Sequence, residues 1–335
     1  MKAVVLVGGE GTRLRPLTYT TPKPLLPIAN VEFLERQLAW LARHGVDEAV
    51  LSLGYMPEAF TRHFHDERFG DMKLRFVVEH EPLGTAGGIR FAAEGINERM
   101  LVCNGDVLTD LDLSAFVRFH DECGAEATIS LAQVEDPSAF GVVPTRTDGE
   151  VIAFVEKPPR EQVPTNWINA GTYVLEPSVL DGIPARLNVS IERETFPRML
   201  ERPGRLYAMQ SDAYWLDIGT PQKYFEAHVD VCSGRLGRPP VAGASEWSSG
   251  VWVQPGATIA PDAELVAPVL IGERANVGSG ARIEASVLGA DVEVGAGASL
   301  ARSVVLDAVS VAPGASIADL VVAPDAALPC GPREG

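Results

Sequence analysis

Long apolar runs are missing from this sequence. No stretch of its 335 residues approaches the roughly 20 apolar residues of a membrane span, so no spanning helix is expected. Cysteine is scarce. Cys103, Cys123, Cys232 and Cys330 lie far apart and without metal-ligand spacing. That argues against a disulfide scaffold or a zinc cluster, and for a reduced, cytoplasmic setting. The N-terminus has one lysine and passes directly into an apolar run, so no signal peptide is expected. The six histidines show no ligand spacing, and none follows His228. Positive charge is short as well, with a net charge of −17. That balance argues against general affinity for nucleic acid or anionic membrane. There are only five lysines, and two of them, Lys23 and Lys157, are followed by proline.

Against that acidic background one stretch stands out. Val5-Leu6-Val7 is apolar, Gly8-Gly9-Glu10-Gly11-Thr12 follows, and Arg13, Arg15 and Lys23 come next. A strand feeding a glycine-rich loop places bare backbone N–H groups at the carboxyl edge of a sheet, where α/β folds bind nucleotides. Glycine lets the backbone approach a phosphate, and the cations neutralise it. The loop is no dinucleotide fingerprint, because Leu14 stands where the third glycine belongs. Nor is it a Walker A loop, because Gly11-Thr12-Arg13 replaces Gly-Lys-Ser/Thr. A plain turn would not account for Lys23 held between Pro22 and Pro24.

Residues 1 to about 230 alternate strand and helix. Strands are expected at Lys2–Val7, Ala49–Leu53, Leu74–Val78 and Met100–Cys103. Helices are expected at Val31–Gly45, Pro57–Asp66, Gly87–Glu94 and Leu113–Cys123. Crossover connections of this kind imply a mainly parallel sheet. Later the pattern is more mixed, with strands at Ala127–Gln133, Gly141–Pro144, Val151–Glu156 and Ile168–Leu175, then helices at Ser190–Leu200 and Pro221–Val231. A Gly/Ser/Pro-rich segment covers 233–250. Beyond it aliphatic residues recur every six positions, from Val253, Ile259 and Leu265 through Ile283, Leu300 and Ile317 to Leu328. In the later part three successive gaps span 17 residues. A six-residue period is the signature of a parallel β-helix, here of about four coils. The expected division is 1–232, a linker at 233–250, and a β-helix at 251–330.

Several polar residues lie where chemistry could use them. Asp106, in Asn104-Gly105-Asp106, follows a strand and faces the same crevice as the opening loop. It could instead cap a helix, but Asp110, Asp112 and Ser114 are better placed for that. Asp217 sits inside the apolar run Tyr214–Gly219, where a carboxylate is costly unless paired or metal-bound. Two such carboxylates are what Mg²⁺ uses beside substrate phosphates. Glu156-Lys157-Pro158 places an acid and a base at a strand end, either as a surface pair or as part of a site. Asn169 needs a partner in its apolar run. Glu156 and Asn169 are side-chain types that read sugar hydroxyls, and Gly141 could bring backbone close to a ligand.

Taken together these motifs resemble the sugar-1-phosphate nucleotidylyltransferases, and within them the guanylyltransferases that act on mannose 1-phosphate. The residues that carry the likeness are Gly8–Thr18, Pro22–Leu25, Glu81–Gly87, Asn104–Val107, Phe140–Val143, Glu156–Pro158, Ile168–Gly171 and Trp215–Gly219. Relatives of this kind often carry Ser or Ala where this chain has Gly105. The resemblance implies an α/β fold: a Rossmann-like, GT-A-like mixed sheet with helices on both faces, followed by a C-terminal left-handed parallel β-helix of hexapeptide repeats. It implies that an NTP, GTP foremost, reacts with a sugar 1-phosphate, mannose 1-phosphate foremost, to give an NDP-sugar and pyrophosphate. ATP or dTTP with glucose 1-phosphate or a cyclitol phosphate is the alternative.

The implied nucleotide site is Leu6, Gly8, Gly9, Gly11, Thr12, Arg13, Glu81, Gly84, Thr85 and Asp106, with Glu81 reading guanine. The implied sugar-phosphate site is Gly141, Glu156, Lys157 and Asn169. Asp106 and Asp217 would bind Mg²⁺, and Arg13, Lys23, Asp106, Lys157 and Asp217 would carry the reaction. An acyltransferase is the reading from another class, since hexapeptide β-helices are common there, but its usual His base has no candidate after His228. A non-catalytic homologue would tend to lose the cations or carboxylates that are all present here. The flat-sided β-helix suits self-association, so a homo-oligomer is expected.

Overall fold

The structure is a computed structural model, and it describes residues 1–331. The chain divides into two compact units, neither of them continuous. The first takes Met1–Gly9 and Leu34–Trp215. The second takes Glu10–Phe33 and the chain from Leu216 on. One boundary therefore falls inside the glycine-rich loop, between Gly9 and Glu10.

The first unit is built on a 10-stranded mixed sheet. Its centre consists of short apolar runs with little room for polar groups. Lys2–Leu6 lies between Glu48–Leu53 and Met100–Asn104, parallel to both, and Met72–Val78 adds a fourth parallel strand. Strands buried on both faces read as unbroken Val/Leu runs, and Val4, Val50 and Val102 are fully buried here. Trp167–Leu175 then runs antiparallel to Met100–Asn104 and to Ala127–Gln133. Its register shifts between Asn169 and Tyr173, at Gly171 with φ +76°. Gly141–Val142 and Val155–Glu156 extend the sheet beyond it.

Some elements differ from the sequence expectation. The expected strand Val151–Glu156 survives only as a bridge at Val151 and the pair Val155–Glu156. Leu206–Gln210 is a strand without alternating polarity, parallel to Ala127–Gln133. The helix expected over 190–200 opens as a π-turn at Ile191–Thr195. Leu113–Cys123 is capped by Asp112, whose carboxylate accepts from the Ala115 amide, so Asp106 is not needed as a cap.

The second unit contains the β-helix. Its strands pair in parallel from coil to coil: Val251–Val253 with Val269–Ile271, Glu264–Ile271 with Arg282–Leu288, and Ser299–Ala301 with Ser316–Ala318. Ile271, Val277, Ile283, Leu288, Val294, Leu300, Val305 and Val311 share one buried cluster, as the hexad phase requires. Each such side chain contributes about 1.5–3 kcal/mol by leaving water. Between most coils, partners stand 17 positions apart. Arg274 pairs with Asp291, and Ser286 accepts from the Ser303 amide. The first coil uses 18, as in the contact of Thr258 with Asn276, and a register shift between Val266 and Val269 absorbs the extra residue. Leu328 leaves the parallel ladder. It lies on Ala326–Pro329, which folds back antiparallel to Leu320–Ala323.

Two segments outside the repeats belong to this unit. Helix Pro221–Cys232 lies along the coils: the Trp252 indole N–H donates to the Cys232 carbonyl, and the Arg302 guanidinium stands 5.5 Å from the Phe225 ring centre. Within 233–250, Ser245–Ser248 is a strand antiparallel to Val251–Val253. Among the described residues no helix is long and apolar enough to cross a membrane.

Candidate active site

In the first unit, three glycine-bearing turns leave one edge of the sheet. Leu6 is level with Ser52 on one side and Asn104 on the other. Gly8, Gly54 and Gly105 therefore follow neighbouring carboxyl ends, the place where open α/β sheets take ligands. The backbones there are in close contact. A Cβ on Gly54 would come 2.8 Å from the Gly8 carbonyl oxygen, and one on Gly105 would come 2.6 Å from that of Leu6. The Gly105 amide donates to the Leu6 carbonyl at 2.8 Å. This explains why glycine stands at 105, and it fixes the turn that presents half-buried Asp106. Gly8 and Gly9 are exposed, with their backbone open to a ligand.

A second cluster of this unit surrounds Glu156. Gly141 stands opposite it on the adjacent strand, and a Cβ on Gly141 would come 2.9 Å from Glu156 Oε2. Lys157 takes φ +50°, a left-handed conformation that costs a non-glycine residue about 1–3 kcal/mol. Its amide donates to the Phe140 carbonyl, and its Nζ lies 3.8 Å from Glu156 Oε1. Arg193, which the sequence did not mark, comes within 3.9 Å of the same carboxylate. It projects from the π-turn, a distortion that often accompanies function and has no simple sequence signal. Asn169 is locked in place: its Nδ2 donates to the Tyr173 hydroxyl at 2.8 Å and its Oδ1 accepts from the Gly171 amide at 3.0 Å. Burial and then the charge of Glu192 push the Tyr173 phenol well above its usual range, so it stays protonated.

Glu81–Gly87 is placed by packing more than by free side chains. Gly84 has φ +70°, and a Cβ there would come 2.6 Å from the Val189 carbonyl oxygen. The Thr85 hydroxyl donates to Glu192 and accepts from the Ile191 amide. Glu81 is exposed. The carboxylate built into this turn is Glu79, which accepts from Ser52 Oγ at 2.7 Å and from the Leu83 amide at 3.1 Å. Nothing in the spacing of Glu79 and Glu81 separates those roles.

In the second unit the three loop cations part company. Arg15 forms an ion pair with Glu10 at 2.7 Å and lies over the Tyr19 ring. Lys23 is 7% exposed, which is rare for a lysine. Gly11 brings Lys23 into the loop. Gly11 has φ +62°, its Cβ position lies 3.0 Å from the Lys23 Cβ, and its carbonyl accepts from the Thr18 hydroxyl. Thr12 and Arg13 are exposed, and Leu14 is the buried anchor of their turn. Arg13 meets the distant motif at Gly219. A Cβ on Gly219 would come 2.6 Å from Arg13 Nη2 and 3.0 Å from Asp217 Oδ1. A guanidinium and a carboxylate some 200 positions apart in sequence thus share the one space that glycine leaves open. Asp217 is half-buried in this unit, as Asp106 is in the first, and each carboxylate is a hard oxygen donor of the kind Mg²⁺ takes beside phosphates.

Comparison with known proteins places this geometry. Residues 2–234 match the family described as nucleotidyl transferase, and residues 253–334 match the GlmU-like C-terminal hexapeptide family. Mannose-1-phosphate guanylyltransferase of Mycobacterium tuberculosis is 40% identical over 85% of this chain and 79% of its own length. Mannose-1-phosphate guanylyltransferase 1 of Arabidopsis thaliana is 39% identical, over 86% and 76% respectively. Among solved structures, HddC from Yersinia pseudotuberculosis complexed with GMP-PN is 31% identical. It covers 68% of this chain and 97% of its own, with a TM-score of 0.57. The chain belongs to the nucleotidyl transferase family.

Proposed function

We propose that this protein joins GTP to mannose 1-phosphate, forming GDP-mannose and releasing pyrophosphate. The observation that carries the reading is the meeting of Arg13 and Asp217 at Gly219. It gives the exposed, glycine-rich loop a cation and an acid from a second motif. The choice of substrates is supported by the relatives, which are named for this reaction, and by the GMP-PN complex of HddC.

The triphosphate lies along Gly8, Gly9, Gly11 and Thr12, with Leu6 and Asp106 beside it. The sugar phosphate is taken by Gly141, Glu156, Lys157 and Asn169, and Arg193 adds a charge there. A phosphate oxygen of the sugar phosphate attacks the α-phosphorus of GTP as the bond to pyrophosphate breaks. That oxygen is already ionised at neutral pH, so no general base is required. The residues therefore work by position and charge. Arg13 neutralises the departing pyrophosphate, and Lys23 the phosphates at the transfer centre. Asp106 and Asp217 would hold Mg²⁺, whose role when bound is to screen phosphate charge.

The test is a panel of GTP, ATP and dTTP against mannose 1-phosphate, glucose 1-phosphate and a cyclitol phosphate, read by pyrophosphate release. GTP with mannose 1-phosphate should give the highest kcat/KM. A higher value for another pair would replace the substrate assignment and leave the reaction class standing. The same panel on Glu81→Ala tests the base contact proposed for Glu81. An unchanged GTP:ATP preference would remove Glu81 from that role.

The chain is further proposed to act in the cytoplasm as a homo-oligomer joined through its β-helix. Trp247, 65% exposed on the edge strand Ser245–Ser248, is the kind of residue that self-association covers. Light scattering at micromolar concentration should give a mass above that of one chain, and a monomer mass would count against the assignment.

A further inference from the structure

The β-helix holds the tip of the hairpin that follows Lys23. Pro27–Ile28 and Val31–Glu32 are antiparallel, with Ile28 level with Val31. Ala29 and Asn30 form the two-residue turn, and both take positive φ, 45° and 59°. Hairpin turns of this type favour Asn or Gly at such positions, and alanine there is strained. The strain persists because the turn is gripped from several sides by distant residues of the same compact unit.

The Ala29 amide donates to His228 Nδ1 at 3.1 Å. The Asn30 side-chain Nδ2 donates to Gln254 Oε1 and to the Leu288 carbonyl, each at 2.8 Å. The Tyr224 hydroxyl donates to the Pro27 carbonyl at 2.5 Å. Gln254 is 7% exposed and His228 1% exposed, so these bonds face little competition from water. The socket draws on one helix and on two coils of the β-helix. Lys23 lies on the short turn Lys23–Leu25, directly before the hairpin, and the Phe33 amide closes the segment onto the Leu26 carbonyl.

We infer that Asn30 and Gln254 are positioning residues for the triphosphate loop, so that the β-helix sets the placement of Lys23. The inference rests on the proposed role of that loop in NTP binding. The grip acts at the tip, and a displacement there moves the Lys23 ammonium relative to the phosphates. Misplacement by about 1 Å can cost up to about 100-fold in rate.

The experiment compares Gln254→Leu, Gln254→Glu and Asn30→Gly in the full chain. Gln254→Leu removes the acceptor, and Gln254→Glu keeps it. Asn30→Gly keeps the turn conformation and removes the donor. Gln254→Leu and Asn30→Gly should lower kcat/KM for GTP by about tenfold. The KM for the sugar phosphate should stay within twofold, and Gln254→Glu should restore most of the loss. A purely structural role would lower active enzyme without separating the two substrates, and Gln254→Glu would give no selective rescue. That result, or unchanged GTP constants in Gln254→Leu and Asn30→Gly, overturns the inference. If Gln254→Leu does not fold, Asn30→Gly decides alone. Arg13→Ala serves as the control for the underlying reading. If it leaves GTP binding and turnover intact, the loop assignment falls; if it abolishes turnover while the Gln254 and Asn30 variants are normal, only the inference falls.

Discussion

Arg13→Ala should lower turnover by roughly 10²–10³-fold, the range seen when one preorganised donor to a developing charge is removed. The melting temperature should stay close to that of the parent chain. Both expectations follow from where the residue sits. Leu14 is 1% exposed and anchors the turn, whereas Arg13 points outward and carries no core packing. Losing it removes charge without opening a cavity. The partner cations cannot cover for it. Arg15 is held by Glu10, and Lys23 is buried further along the segment. Arg13→Lys should recover part of the rate, since it keeps the charge and loses the planar fork. The measurement is kcat by pyrophosphate release beside a thermal melt. Near-normal turnover with a normal melt would take Arg13 out of the reaction and the assignment with it.

Asp217→Asn should be the other severe loss. The change preserves shape, so the packing against Gly219 and Arg13 is retained while one negative charge disappears. If Asp217 is one of two carboxylates holding Mg²⁺, several kcal/mol of charge stabilisation are at stake, or about 10²–10⁴ in rate. The Mg²⁺ concentration for half-maximal activity should also rise. Asp106→Asn should behave in the same way, because the two carboxylates are proposed to share one task. A titration of activity with Mg²⁺, parent against variant, reads this directly. Full activity with an unchanged Mg²⁺ requirement in Asp217→Asn would show that the carboxylate is structural.

The parts legible in sequence are those where one physical demand repeats. Buried parallel strands must be apolar throughout, so Lys2–Leu6 and Met100–Asn104 could be read to within a residue or so. The β-helix could be read because every coil needs an inward aliphatic side chain at the same phase. Leu206–Gln210 was not legible, since its five residues follow no period and its partner, Ala127–Gln133, lies far back in the chain. The π-turn that carries Arg193 was hidden because its backbone and Glu192 are bonded by the distant Thr85, a contact that local propensity does not show. The site residues divide along the same line. Gly11 and Lys23 stood out through glycine and proline placed beside charge. Gly54, Glu79 and Gly219 took their meaning only from neighbours distant in the chain.

The coil-to-coil interval has a consequence for how such chains can change length. Arg274 with Asp291, Ser286 with Ser303, and Arg302 with Asp319 all span 17 positions. A deletion or duplication of 17 residues would keep corner ion pairs, serine contacts and aliphatic side chains aligned on their stacked partners. A change of one residue would rotate every later side chain off its row, unless a distortion like that between Val266 and Val269 absorbed it. Variation in this half of the molecule is therefore quantised. Its descendants can gain or lose whole turns of the prism, while point insertions are tolerated only where the chain has already learned to bulge.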